Sequence, residues 1–203
     1  MSLYQFGKVV VRLFFRILFR LEIEGLQNIP KNSHFIICCN HKSYLDPPLL
    51  GLSMPFELRY MAKEELFHNK LFGKLITALG AFPIKRGQSD VGALRTALKL
   101  VKSGAYVVVF PEGGRSHDGY MRKGKMGAVM IAVKASANIL PVGIEGTYRP
   151  FSKLTVHIGQ PIDLSMYWKE KLTSGQLQEL TDQKLMPAIS TLAKVKTYEN
   201  RNS

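Results

Sequence analysis

Cysteine is nearly absent: the chain has two, Cys38 and Cys39, and they are neighbours. On a strand, adjacent side chains point to opposite faces, so a strain-free disulfide between them is excluded, and a disulfide scaffold with it. A reducing compartment suits both thiols. No metal-ligand spacing of cysteine and histidine occurs. Acidic residues are scarce, with 15 Asp and Glu against 28 Lys and Arg and a formal net charge of +13. Such a surface attracts anionic lipid, acidic proteins or nucleic acid. Nucleic acid is set aside, because the chain shows neither a binding module nor an aromatic platform interleaved with cations. A charge-free apolar run of about 20 residues, the length of a membrane span, is also missing. So are an uninterrupted secretory core, internal repeats and low-complexity blocks.

What remains is 203 residues with 46% hydrophobic content, enough for one domain with a real core. Apolar, β-branched segments predict strands near 21–24, 34–39, 58–62, 82–84, 105–110, 139–145 and 153–158. Helical periodicity predicts helices near 3–20, 47–53, 69–79, 88–102, 124–137 and 175–195. The alternation predicts an α/β fold, a single domain with a largely parallel central sheet flanked by helices. The sense of the last strand is not legible.

Two segments carry chemistry. The first, Asn40-His41-Lys42-Ser43-Tyr44-Leu45-Asp46, ends the apolar run Phe35-Ile36-Ile37-Cys38-Cys39 and precedes Pro47-Pro48. Aspartate before proline suits a helix N-cap. On a straight helix, His41 and Asp46 would sit roughly 140° apart. A bend at Asp46 would instead bring the carboxylate to the imidazole, fixing its tautomer and freeing the other nitrogen to take a proton from a hydroxyl. The second, Pro111-Glu112-Gly113-Gly114-Arg115-Ser116, follows the strand at 105–110. Its glycines permit close backbone approach, and Arg115 offers a planar fork for phosphate. Glu112 suits either a polyol hydroxyl or the orientation of Arg115. The spacing is not that of a P-loop. Lys85 and Arg86 follow a short strand and suit an anion or a solvated surface. Pro141 opens another buried segment, running to Thr147.

Taken in order, these four segments resemble the 1-acylglycerol-3-phosphate acyltransferase family. That family carries an Asn-His-x-Ser-x-x-Asp block, a Phe-x-x-Arg block, a Phe-Pro-Glu-Gly-x-Arg-Ser block and a late proline block. The resemblance implies His41 as general base and Asp46 as its orienting partner. It implies Arg86, Glu112, Gly113 and Arg115 around the glycerol phosphate, with Lys85, Lys123 and Lys125 as further cations for the same anion. Lys123-Gly124 is similar to the family's basic turn, although the usual aromatic before it is displaced to Tyr120. The reaction implied is acyl transfer from acyl-CoA or acyl carrier protein to lysophosphatidic acid, giving phosphatidic acid with no cofactor and no metal. Glycerol phosphate or another lysophospholipid is the alternative acceptor, and a noncatalytic basic membrane-binding protein is the distant one.

Residues 3–21 point to where this happens. Lys8, Arg12, Arg16 and Arg20 recur every four residues, a slowly drifting basic stripe on a helix. Phe6, Val10, Leu13, Phe14, Ile17, Phe19 and Leu21 fill much of the rest. The pattern predicts an interfacial helix with its cations near anionic head groups. Residues 1–21 are thus read as an amphipathic membrane-associating helix and 22–203 as the acyltransferase domain. The implied location is peripheral (monotopic), at the cytoplasmic face of the cell membrane.

Overall fold

The computed structural model describes residues 3–31, 33–84, 91–116 and 118–197. All seven predicted strands form: β1 (Arg20–Glu24), β2 (Phe35–Cys39), β3 (Leu58–Lys63), β4 (Ala81–Ile84), β5 (Tyr106–Val109), β6 (Asn138–Gly146) and β7 (Lys153–Ile158). They make one sheet in the order β1-β7-β6-β2-β5-β3-β4. The five strands from β6 to β4 are mutually parallel. Strand β7 runs antiparallel to β6, and β1 runs parallel to β7. The short link between β6 and β7 explains this reversal. A parallel return needs a crossover of a dozen or more residues, and 147–152 is too short for one.

The helices cover both faces of the sheet. They are α1 (Leu3–Leu18), α2 (Asp46–Ser53), α3 (Lys70–Ala78), α4 (Val91–Lys102), α5 (Gly127–Ala135), α6 (Ser174–Leu180) and α7 (Met186–Ala193). The helix predicted at 175–195 is α6 and α7 joined by a π turn, Thr181–Leu185. Alternation along β2 feeds two cores. Phe35, Ile37 and Cys39 pack with Phe15 and Phe19 below α1 and with Leu49, Leu50 and Leu52 of α2. Ile36 and Cys38 pack on the other face with α4, α5, α6 and α7. The two thiols therefore sit in different cores, and burial pushes both well above the usual thiol range.

Helix α1 is amphipathic in a way the sequence only half predicts. Tyr4 and Phe15 are buried, and Phe19 just beyond the helix joins them. Lys8 leaves the predicted basic stripe: its ammonium turns inward to the carbonyl of Met54, and burial lowers its pKa. Phe6, Val10, Leu13, Phe14 and Ile17 stay exposed. Among the described residues, no helix is long and apolar enough to cross a membrane.

Strand order positions the site. From β2 the chain leaves over the face covered by α2, and from the neighbouring β5 over the face covered by α5. The carboxyl ends of β2 and β5 diverge there, and such a crevice is where open α/β sheets hold ligands.

Candidate active site

The chain beyond β2 is held in place by its own side chains. Asn40 is buried and extends the β2–β6 pairing past the strand end. Its Oδ1 accepts the Ile144 N–H at 2.8 Å, and its Nδ2 donates to the Ile144 carbonyl at 3.1 Å. Lys42 Nζ donates to the carbonyls of Ile144 and Gly146, at 2.9 and 2.7 Å. Burial lowers its pKa, against the pull of the nearby Asp46.

Asp46 departs from the expected cap. Leu45 occupies the N-cap of α2, and Asp46 is the first helical residue. Its fully buried carboxylate faces back across the loop instead. Oδ2 accepts the N–H of Lys42 at 2.7 Å and that of Ser43 at 2.8 Å, and it meets His41 Nδ1 at 2.7 Å. Tyr148 donates its hydroxyl to Oδ1 at 2.5 Å. A carboxylate serving three other donors is an acceptor, so Nδ1 carries the hydrogen and the Nε2 lone pair is left for a proton. The imidazole also stacks on Phe110, with ring centroids 4.0 Å apart and planes 19° apart.

The Gly-Gly segment is bonded to the same histidine. Glu112 is buried, and its two oxygens divide the work: Oε1 accepts the His41 N–H at 2.7 Å, and Oε2 accepts the Arg122 N–H at 2.8 Å. Burial pushes its carboxyl above the usual range, and those two N–H groups pull it back. Ser116 N–H donates to the His41 carbonyl at 2.8 Å. Gly113 has φ +67°, where a side chain is strained, and an added Cβ would lie 2.9 Å from Lys125 Cε. The Gly113 N–H closes a turn on the Phe110 carbonyl at 3.0 Å. Arg115 stacks on Tyr44, its guanidinium carbon 3.5 Å from the ring centroid.

The structure thus gathers His41, Asp46, Glu112, Gly113 and Arg115 at one end of the sheet. Lys125 joins them across Gly113, and exposed Lys123 follows the Arg122 whose N–H meets Glu112. Lys85 and Arg86 lie outside the described residues. Sequence reasoning missed Tyr148, Phe110 and Arg122, whose Nη1 lies 3.1 Å from where a Cβ on Gly114 would stand. Phe110 opens the Phe-Pro-Glu-Gly block and was the one within reach. Nothing local marks Tyr148. Among the described residues, no group of three or more His, Cys, Asp or Glu is arranged to hold a metal ion.

Comparison with known proteins identifies the family. The acyltransferase family model matches residues 20–145, which include His41, Asp46 and the Gly-Gly segment. The 1-acyl-sn-glycerol-3-phosphate acyltransferase of Bacillus subtilis is 31% identical over 169 residues, covering 79% of this chain and 82% of its own. This chain belongs to that family. The alpha form of the human 1-acyl-sn-glycerol-3-phosphate acyltransferase is 32% identical over 137 residues, covering 65% of this chain and 47% of its own. The crystal structure of the 1-acyl-sn-glycerophosphate (LPA) acyltransferase PlsC from Thermotoga maritima superposes with a TM-score of 0.70 at 29% identity. That likeness covers 94% of this chain and 78% of that one. The mostly parallel sheet and flanking helices of this acyltransferase thus match the fold of a solved family member.

Proposed function

We propose that this acyltransferase moves a fatty acyl group from acyl-CoA or acyl carrier protein to the free hydroxyl of 1-acyl-glycerol-3-phosphate, with His41 as base. The observation that carries the reading is the 2.7 Å contact between His41 Nδ1 and buried Asp46, beside an arginine-bearing Gly-Gly turn. Nε2 takes the hydroxyl proton as the oxygen attacks the thioester carbonyl. The tetrahedral intermediate collapses, the C–S bond breaks, and the proton passes from Nε2 to the departing thiolate. The products are phosphatidic acid and free thiol. The thioester is a substrate, and no cofactor takes part. Arg115, Arg86, Lys85, Lys123 and Lys125 hold the phosphate. Glu112 and Gly113 serve the acceptor by shaping the turn.

The enzyme works at the cytoplasmic face of an anionic membrane, as a peripheral (monotopic) protein. Residues 1–21 dock on the lipid and 22–203 carry the catalysis. In support, α1 exposes Leu3, Phe6, Val10, Leu13 and Ile17 beside exposed Arg12 and Arg16. Helix α3 adds Leu71, 83% exposed, with Phe72 and Leu75, flanked by Lys70 and Lys74. Gly7 of α1 lies against Leu79, just past α3, so the two apolar surfaces are neighbours. Apolar surface flanked by cations suits an anionic interface.

The first test is transfer of a labelled acyl chain to 1-acyl-glycerol-3-phosphate in mixed micelles, with each donor supplied separately. Product is expected, and the faster donor names the partner. No product with either donor refutes the acceptor. Docking is checked by co-sedimentation with anionic vesicles: Leu13→Asp with Ile17→Asp should leave most of the protein in the supernatant. Undiminished pelleting would rule out docking through α1.

A further inference from the structure

The loop between β6 and β7 reaches two parts of the molecule that the mechanism treats separately. On its inner side, Tyr148 donates to Asp46 Oδ1 at 2.5 Å. Its ring is half-buried and lies edge-on to Phe19, with centroids 5.9 Å apart and planes at 89°. Lys42 Nζ stands over the same ring, 5.8 Å from its centroid. On the outer side, the loop is tied to the end of α1. Phe151 N–H donates to the Leu18 carbonyl at 2.6 Å, Arg20 N–H to the Ser152 carbonyl at 3.0 Å, and Arg20 Nε to the Phe151 carbonyl at 3.1 Å. Phe151 itself has φ +63°, a left-handed conformation that bulky residues rarely adopt, and its ring is exposed. The loop thus keeps a strained backbone while tied to the end of α1, and its Tyr148 hydroxyl meets the Asp46 carboxylate.

We infer that Tyr148 is a positioning residue for the His41–Asp46 pair, braced by Phe19 so that the end of the membrane-docking helix and the dyad are held as one unit. Asp46 has two oxygens to orient. His41, Lys42 and Ser43 all converge on Oδ2, so Tyr148 is the side-chain donor that fixes rotation of the carboxylate from the Oδ1 side. Burial and the adjacent Asp46 raise the phenol pKa, which keeps it a donor throughout the working range. The bond also draws charge from the carboxylate, tempering its hold on an imidazolium. Among the described residues, the charged and titratable groups around the pair are Lys42 and Cys39 from the β2 end, Glu112 from the β5 end and Tyr148 from this loop.

The inference rests on the base role proposed for His41. The decisive variant is Tyr148→Phe, which keeps the ring and its contact with Phe19. Its kcat should fall about tenfold, about 1.4 kcal/mol in the barrier, with KM for both substrates within about twofold. The acid limb of kcat/KM should move to higher pH. The sign follows from the chemistry: without the phenol, Asp46 holds the imidazolium more tightly, so His41 stays protonated to higher pH. Phe19→Leu should move both readouts the same way by less. A Tyr148→Phe enzyme with unchanged kcat and an unmoved acid limb overturns the assignment, as does a loss seen only as raised KM. An unaffected Phe19→Leu beside an altered Tyr148→Phe overturns the brace. His41→Ala is run alongside: activity surviving there defeats the base role itself, whereas an inactive His41→Ala beside a normal Tyr148→Phe defeats only the role of Tyr148.

Discussion

Two loops leave the carboxyl ends of adjacent parallel strands, and they are built in opposite ways. In the loop after β2, Asn40 and Asp46 are buried and their polar atoms are matched to backbone or side-chain partners. The loop after β5 is open: Gly113 is exposed, Arg115 is partly so, and Arg115 rests on a Tyr44 ring that is 74% exposed. The difference suits the work proposed for each. A base must hold one nitrogen in one direction, which requires a satisfied network, because buried polar groups left unmatched cost free energy. A phosphate cradle must admit a charged ligand, which requires exposed cations and backbone without side chains. Glu112 belongs to both, with one oxygen on His41 and the other on Arg122.

The comparison breaks most visibly at the proposed base. His41→Ala should lower kcat by roughly a hundred- to ten-thousandfold, with the melting temperature little changed, as read by turnover beside thermal unfolding. Glu112→Gln attacks the joint between the loops. The amide keeps the shape but turns one acceptor into a donor, leaving an N–H of His41 or Arg122 without a partner. Stability should drop by about 1–3 kcal/mol and kcat should fall with it, as measured by denaturant unfolding and turnover. The same substitution should also change the pH dependence. A carboxyl raised by folding binds its proton more tightly in the native state, so its contribution is fully present below the unfolded pKa. That contribution is lost as pH rises through the folded value. The Gln variant should lack that decline across the carboxylate range. The smallest effect sharpens the contrast. Arg115→Ala should raise KM for lysophosphatidic acid about tenfold, as expected for losing a charge-assisted contact of about 1.5 kcal/mol, while KM for the acyl donor stays put. Equal changes for both substrates would contradict a phosphate role.

Much of this was legible in advance. The seven strands were visible because β-branched runs such as Val107-Val108-Val109, whose first two residues are buried, favour extended backbone. Of the two readings the sequence allows for Asp46, a helix cap and a bend toward His41, the structure shows the bend: Leu45 takes the cap, and Lys42 and Ser43 hold the carboxylate in the loop. The basic stripe of α1 held at Arg12 and Arg16 but not at Lys8. A helical wheel shows which residues share a side, not that the Met54 carbonyl waits on one of them. The resemblance offers Lys125 as a further cation, but its place across Gly113 is visible only in the folded chain.

The sequence by itself determined the elements, the two motifs and the cationic, amphipathic character of the chain. Each of these rests on neighbours within a turn or two, where periodicity and side-chain chemistry act directly. Tertiary structure alone decided that Glu112 meets the backbone of His41. It also decided that Tyr148, 102 positions away in sequence, closes on Asp46. Those contacts depend on β2 lying between β5 and β6, and strand order is set by how the helices pack on the two faces, which no local stretch of sequence records.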